Sequence, residues 1–347
     1  MFGRSSKPIR VEVFGKTDLG RTRDHNEDRF LVADLSRKAA SLQPEVRKHD
    51  IGPRGTLLVV ADGMGGAAAG ELASEMATDT IYSHLVKTWN AEEELTPQRF
   101  AYRLKEAVEV ANASIHAHAK AHPEVRGMGT TTTAAGVLND HLYLTQVGDS
   151  RAYLIRGGQA HQITKDQSLM QRLVEAGELT EEEAAQSERR NIILQALGPD
   201  PKVKVDLTHQ EVRRGDILVL CSDGLSGQVK KEEIAKIVSS APDLSAACDQ
   251  LIALANERGG PDNITVVVAR FDGDGLRFSG SGPAEDVGHQ VYPLIDTETS
   301  TEPVPVYKGS QPPVPNAEKD ARTQTRTMVL AIVAVVAALV WYLTRNQ

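Results

Sequence analysis

The chain has 347 residues, enough for one large domain or two smaller ones with a substantial core. Its 47 acidic and 39 basic residues leave a formal net charge of −8, which gives no support to a nucleic-acid partner. Aromatics at 4% leave the core to Val, Leu, Ile and Ala, and the two cysteines, Cys221 and Cys248, stand in no CxxC or Cys/His metal spacing, which favours a reducing compartment.

Residues 1–15 hold positive charges but no apolar run, so they are not a signal peptide. VEVFGKTDLG then predicts a short strand and turn. RTRDHNEDRFLVADL places Arg23, Glu27 and Asp28 just before a second apolar strand. Residues 36–55, with Pro44 and Pro53, predict a loop holding at most one helical turn. The stretch LLVVADGMGG, residues 57–66, is the centre of the pattern. An apolar strand runs into a glycine-rich turn, which puts the Asp62 carboxylate at the strand tip and lets the Gly63 carbonyl face a ligand.

Two helices are expected next. One carries Leu72, Met76, Ile81 and Leu85 at helical spacing; the other runs from Pro97 to about Ala121, with Thr96 as its N-cap. His116, His118 and His122 near its end are not at i,i+4 with a partner acid, as a zinc helix requires, and read as solvated. Residues 126–164 predict strands, GTTTTAAGVL and HLYLTQVG, joined through a tight turn at Asn139-Asp140. The second leads to Asp149, another carboxylate at a strand tip, and a Gly157-Gly158 turn follows. Residues 166–185 predict one or two helices broken at Gly177, with Thr180 and Glu183 as a capping box. DILVLCSDG repeats the strand-then-acid pattern at Asp223. Helices follow over 231–239 and 244–258, and GGPDNITVVVARF leads Asp262 and Asn263 into a last strand.

From residue 273 the composition changes to Gly, Pro, Thr and acidic residues, which predicts a tether over 273–326. Residues 327–344 are uncharged, about 27 Å long as a helix, flanked by Arg322, Arg326 and Arg345, with Trp341 and Tyr342 near one end. They predict a transmembrane helix, and hence a single-pass cell-membrane protein with residues 1–272 as a cytoplasmic catalytic domain.

Taken singly, each turn acid is as well explained as a turn former or helix cap. If Glu27–Asp28, Asp62, Asp149, Asp223 and Asp262 converge, their mutual repulsion requires cations. Oxygen ligands without a His/Cys cluster favour Mg²⁺ or Mn²⁺ over zinc, and the chemistry such ions support is hydrolysis of a phosphate ester by an activated water.

The motifs RTRDHNED, ADGMGG, GMGTTTTA, GDSRAY, RRNIILQALG, CSDGLSG and GGPDNITVVV, in this order over residues 11–272, resemble those of bacterial metal-dependent PPM (PP2C-type) serine/threonine phosphatases. The resemblance implies an α+β fold, an α-β-β-α sandwich of two antiparallel sheets with helices on both outer faces. It implies two Mn²⁺ or Mg²⁺ ions, with a third frequent in bacterial relatives. Asp62 would bridge the first two; Asp223 and Asp262 would complete one, while Glu27 and the Gly63 carbonyl hold the other. Asp28 would orient waters, Arg23 would bind the phosphate, and Asp149 with Asp223 would hold the third ion. The implied substrates are phosphorylated proteins, a Ser/Thr kinase among them. Asn263 would fix the Asp262 loop, and residues 164–190 resemble a flap that contacts substrate. This chain departs from the family pattern in the flap, with Gln167 in place of a histidine and Ser187-Glu188 in place of His-Pro. Met64 stands where some relatives have histidine. Two other readings stay open: a phosphatase dedicated to a sigma-factor regulatory protein, and a non-catalytic module that binds phosphoproteins.

Overall fold

The computed structural model describes residues 7–65, 69–278 and 287–294. These lie in one compact unit, Met1–Val304, and the second unit, Pro305–Gln347, falls outside the described residues. In chain order the elements are β1 (Arg10–Asp18), β2 (Asp28–Asp34), β3 (Ala39–Ala40), α1 (Pro44–Arg47), β4 (Lys48–Asp50), β5 (Thr56–Met64), α2 (Ala69–Lys87) and α3 (Pro97–Ala121). The strand-rich centre follows: β6 (Gly129–Thr130), β7 (Thr132–Leu138), β8 (His141–Val147), β9 (Arg151–Arg156) and β10 (Gln159–Gln162). The chain then forms α4 (Leu169–Glu175), α5 (Glu181–Gln186), β11 (Asp206–Glu211), β12 (Ile217–Cys221), α6 (Asp223–Ser226), α7 (Lys231–Ser240), α8 (Leu244–Glu257) and β13 (Ile264–Asp272).

The strands make two antiparallel sheets. One has the order β10-β9-β12-β13-β1-β4, the other β11-β8-β7-β5-β2-β3, with β6 joined to β5. The run at β5 shows why these layers form. Leu57, Val59 and Ala61 pack with α2 and α3, whereas Leu58 and Val60 point the other way, against Leu218, Leu220 and Val267 of the facing sheet. A strand buried on both faces must be apolar at successive positions, as this one is. Each such side chain contributes about 1.5–3 kcal/mol relative to exposure. On the far face Val219, Val266 and Val268 pack under α7 and α8. The order of layers is therefore helix, sheet, sheet, helix, the α+β sandwich that the resemblance implies.

Several local signals act in the structure as the sequence predicts. Thr96 caps α3 by accepting from the Arg99 N–H, with Pro97 in the first turn. Asn139 turns the β7–β8 hairpin at φ 54°, and Gly177 separates α4 from α5 at φ 71°. The short strands β3 and β4 lie inside the stretch expected to be loop. Cys221 and Cys248 are buried free thiols, pushed up to about 12 chiefly by burial. His116 bonds the Gly198 carbonyl, and His118 stacks on His122.

The expected membrane helix requires correction. Residues 327–344 lie outside the described residues, and among the described residues no helix is long and apolar enough to cross a membrane. The long helices are unsuited to it by composition: α2 carries Glu71, Glu75 and Asp79, and α3 carries Arg99, Arg103 and Lys105. Among the described residues the fold class is therefore the sandwich without a spanning helix, and the membrane partner and single-pass cell-membrane location expected from that helix lose their support with it.

Residues 287–294 fall within the stretch whose composition predicts a tether, and they lie along β11. The His209 N–H donates to the Gln290 carbonyl (2.9 Å), and the Tyr292 N–H donates to that of Leu207 (2.9 Å). Tyr292 stands edge-on to Tyr143 and His209, and Leu294 packs with it against the core beneath α3.

Candidate active site

Antiparallel pairing brings the turn acids to one end of the sandwich. Asp28 opens β2 directly opposite Asp62 near the close of β5. Asp149 follows β8, Asp223 follows β12, and Asp262 precedes β13. Arg23, Glu27, Asp62, Gly63, Asp149, Asp223 and Asp262 all line one open cavity of about 520 Å³. Asp28 does not line it. It sits behind, 3% exposed, with Oδ2 accepting from Ser222 Oγ (2.7 Å) and Oδ1 without a partner.

Glycine makes this packing feasible. A Cβ on Gly63 would lie 2.2 Å from the Gly70 carbonyl oxygen, and one on Gly70 would lie 2.7 Å from the Glu27 carboxyl carbon. The first turn of α2 can therefore close over Glu27 only because both positions lack side chains. Asn263 latches two loops together. Its Oδ1 accepts from the Glu27 N–H (2.8 Å), and its Nδ2 donates to the carbonyls of Leu19 (3.0 Å) and His25 (2.9 Å). Arg23 Nη2 donates to Asp262 Oδ2 at 2.7 Å.

The acids bear the electrostatic mark of crowding. Removal from water first, and neighbouring carboxylates second, raise Asp62 well above the usual carboxylate range. Burial also raises Asp28 and Asp149 to about 7, with Asp223 adding to both, and raises Asp223 with Asp262 adding to it. Glu27 is raised by desolvation against the pull of Arg23.

A group of acids held this close, with a buried carboxylate oxygen lacking any partner, fits divalent cations. Among the described residues no three His, Cys, Asp or Glu side chains already form a closed shell for one ion. The acids instead ring a cavity, so ions there would take few protein ligands each and complete their shells with water, as Mg²⁺ commonly does.

Sequence reasoning missed a polar layer under these acids. Thr131 Oγ1 accepts from the Asp62 N–H (3.1 Å) and bonds Ser150 Oγ (2.8 Å), while Ser222 Oγ accepts from the Thr265 N–H (3.0 Å) as it holds Asp28. Thr131, Ser150 and Ser222 stand within or beside GTTTT, GDS and CSDG, so adjacency to the acids was the available signal. Asn191 and Ile193 also line the cavity, just past the expected flap boundary.

The Protein phosphatase 2C family profile matches residues 42–264. The serine/threonine phosphatase stp of Listeria innocua is 37% identical over 253 residues, covering 73% of this chain and 93% of the relative. The crystal structure of the Mycobacterium tuberculosis serine/threonine phosphatase PstP/Ppp matches at TM-score 0.63 and 37% identity, over 76% of this chain and 99% of that one. The catalytic domain of serine/threonine phosphatase PstP in complex with 2 manganese ions matches at TM-score 0.61 and 36% identity, over 76% and 99%.

Proposed function

This chain belongs to the protein phosphatase 2C family, and from that premise we propose how its site works. The activity is metal-dependent hydrolysis of phosphoserine and phosphothreonine in proteins, with two divalent ions, Mn²⁺ or Mg²⁺. When bound, such ions acidify a water and offset the charge of the phosphoryl oxygens.

Glu27, Asp62, Gly63, Asp223 and Asp262 are the ligands we assign to these ions, with Asp149 and Asp223 serving a third. Asp28, fixed through Oδ2 by Ser222, offers its other oxygen to orient water. Arg23 binds the phosphate. Its guanidinium is always charged, and its planar fork of donors suits two phosphoryl oxygens at once. With one nitrogen on Asp262, its remaining N–H groups are available to substrate. Asn263 keeps the Arg23–Glu27 loop in register with Asp262. The catalytic unit is residues 1–272 together with the segment 287–294 along β11, and the substrates include a phosphorylated Ser/Thr kinase.

The convergence of five strand-tip acids on one cavity carries this reading. The test is release of phosphate from a phosphothreonine peptide by the full chain. Mn²⁺ is expected to support it, EDTA to abolish it, and Asp223→Asn to lower kcat by at least about a hundredfold, the scale of losing transition-state charge stabilisation. Undiminished turnover in EDTA would overturn the proposal.

A further inference from the structure

Asp149 stands on the turn Gly148–Ser150, and two glutamines hold that turn. Gln146, buried at the end of β8, donates from Nε2 to the carbonyls of Ser150 (3.1 Å) and Gly148 (3.3 Å), and its Oε1 accepts from the Lys165 N–H (3.0 Å). Gln167 grips the same turn from the base of the flap. Its backbone N–H donates to the Gly148 carbonyl (2.9 Å), and its Oε1 accepts from the Gly148 N–H (3.0 Å). Both backbone groups of Gly148 are thereby fixed. That matters because Gly148 holds φ 102°, a region open to glycine that no side chain of its own can lock.

The other end of Gln167 reaches away from the site. Nε2 donates to Asp206 Oδ2 at the start of β11 (3.0 Å), with a longer approach to the Lys204 carbonyl (3.4 Å). Its own carbonyl accepts from the Leu194 N–H (2.7 Å), on the segment leaving the flap, where Asn191 and Ile193 meet the cavity. One residue therefore bonds the Asp149 turn, the flap exit and the sheet edge together. The side chain must accept at one end and donate at the other, which an amide does and a carboxylate or thioether does not.

We propose that Gln167 is a positioning residue that sets the Asp149 carboxylate for a divalent ion and couples that setting to the flap. This inference rests on the reading of Asp149 as an ion ligand. A carboxylate presented by an anchored turn loses less freedom when an ion binds, and groups that orient ligands commonly change ion affinity by about 10–100-fold.

Calorimetric titration of the full chain with Mn²⁺ tests it. Asp149→Asn is expected to remove one Mn²⁺ site. Gln167→Met, similar in length but unable to bond either partner, is expected to weaken that same site about tenfold and leave the others unchanged. Gln167→Glu alone sets a carboxylate against Asp206 and weakens the site. Gln167→Glu with Asp206→Asn exchanges donor and acceptor, remakes both bonds and returns the affinity to the wild-type value. Should Gln167→Met fail to fold, this reciprocal pair carries the test. Wild-type affinity in Gln167→Met, or no recovery in the double variant, overturns the positioning role while leaving Asp149 as a ligand. Wild-type stoichiometry in Asp149→Asn overturns the ligand reading and the inference with it.

Discussion

Ser222 illustrates how much depends on side chains that touch no substrate. Its hydroxyl donates to Asp28 Oδ2 and accepts from the Thr265 N–H, so one oxygen serves two buried groups. Ser222→Ala would leave both without a partner, and is expected to cost about 1–3 kcal/mol in urea unfolding of the metal-free chain. A loss below the error of the measurement would show that water enters the gap. The acids themselves set the pH response. In the folded chain Asp28 and Asp149 titrate at about 7, against about 3.9 when unfolded. Between those values the folded state binds more protons at these two groups, so the stability they contribute is full below about pH 4 and is lost as pH rises through about 7. In EDTA the melting temperature is therefore expected to be higher at about pH 5.5 than at about pH 7.5. Mn²⁺ should raise it more at the higher pH, where no proton competes for the carboxylates. Equal melting temperatures in EDTA at the two pH values would contradict this account. Each acid was visible in the sequence as a residue at a turn. Its electrostatic state was not, because desolvation and repulsion arise only when distant turns meet.

The elements around the site differ in how firmly they are held. β5 is buried on both faces, whereas α4 and α5 are short and bury only Met170 and Ala184 between them. α5 relies on its capping box: Thr180 Oγ1 accepts from the Glu183 N–H, and the Glu183 carboxylate accepts from the Thr180 N–H. Thr180→Ala removes about 1 kcal/mol of capping, so amides of 181–186 are expected to exchange about fivefold faster with an unchanged global melting temperature. Unchanged exchange there would mean that packing, not the cap, sets the helix. That box was legible because its residues are neighbours in the chain, as were the Asn139 hairpin and the start of α3. The two-residue strands β3 and β6 were not, since each exists only by pairing with β2 or β5. Ile193, just past the expected flap residues, lines the cavity for a similar non-local reason: Leu169 and Gln167 bond its neighbours Ile192 and Leu194.

At the scale of the whole molecule the two sheets seal each other's inner faces, but sheet margins are still to be managed. β11 is the outer strand of its sheet, and residues 287–294 lie along it through the backbone bonds at Gln290 and Tyr292. Ending the chain at residue 272 would strip that cover and bare a row of unpaired backbone donors and acceptors, the usual template for strand-to-strand association. A fragment of residues 1–272 is expected to form soluble oligomers or precipitate as concentration rises, while 1–294 remains a single species by light scattering. Equal behaviour of the two fragments would contradict this. Composition alone read this region as tether, because few apolar residues are needed when the main chain itself supplies the bonding. A stretch poor in hydrophobic residues thus acts as a selvedge, the finished border that keeps a woven cloth from unravelling into its neighbour. Where a phosphatase domain of this kind is trimmed for study, the cut chosen decides whether one handles the enzyme or its aggregate.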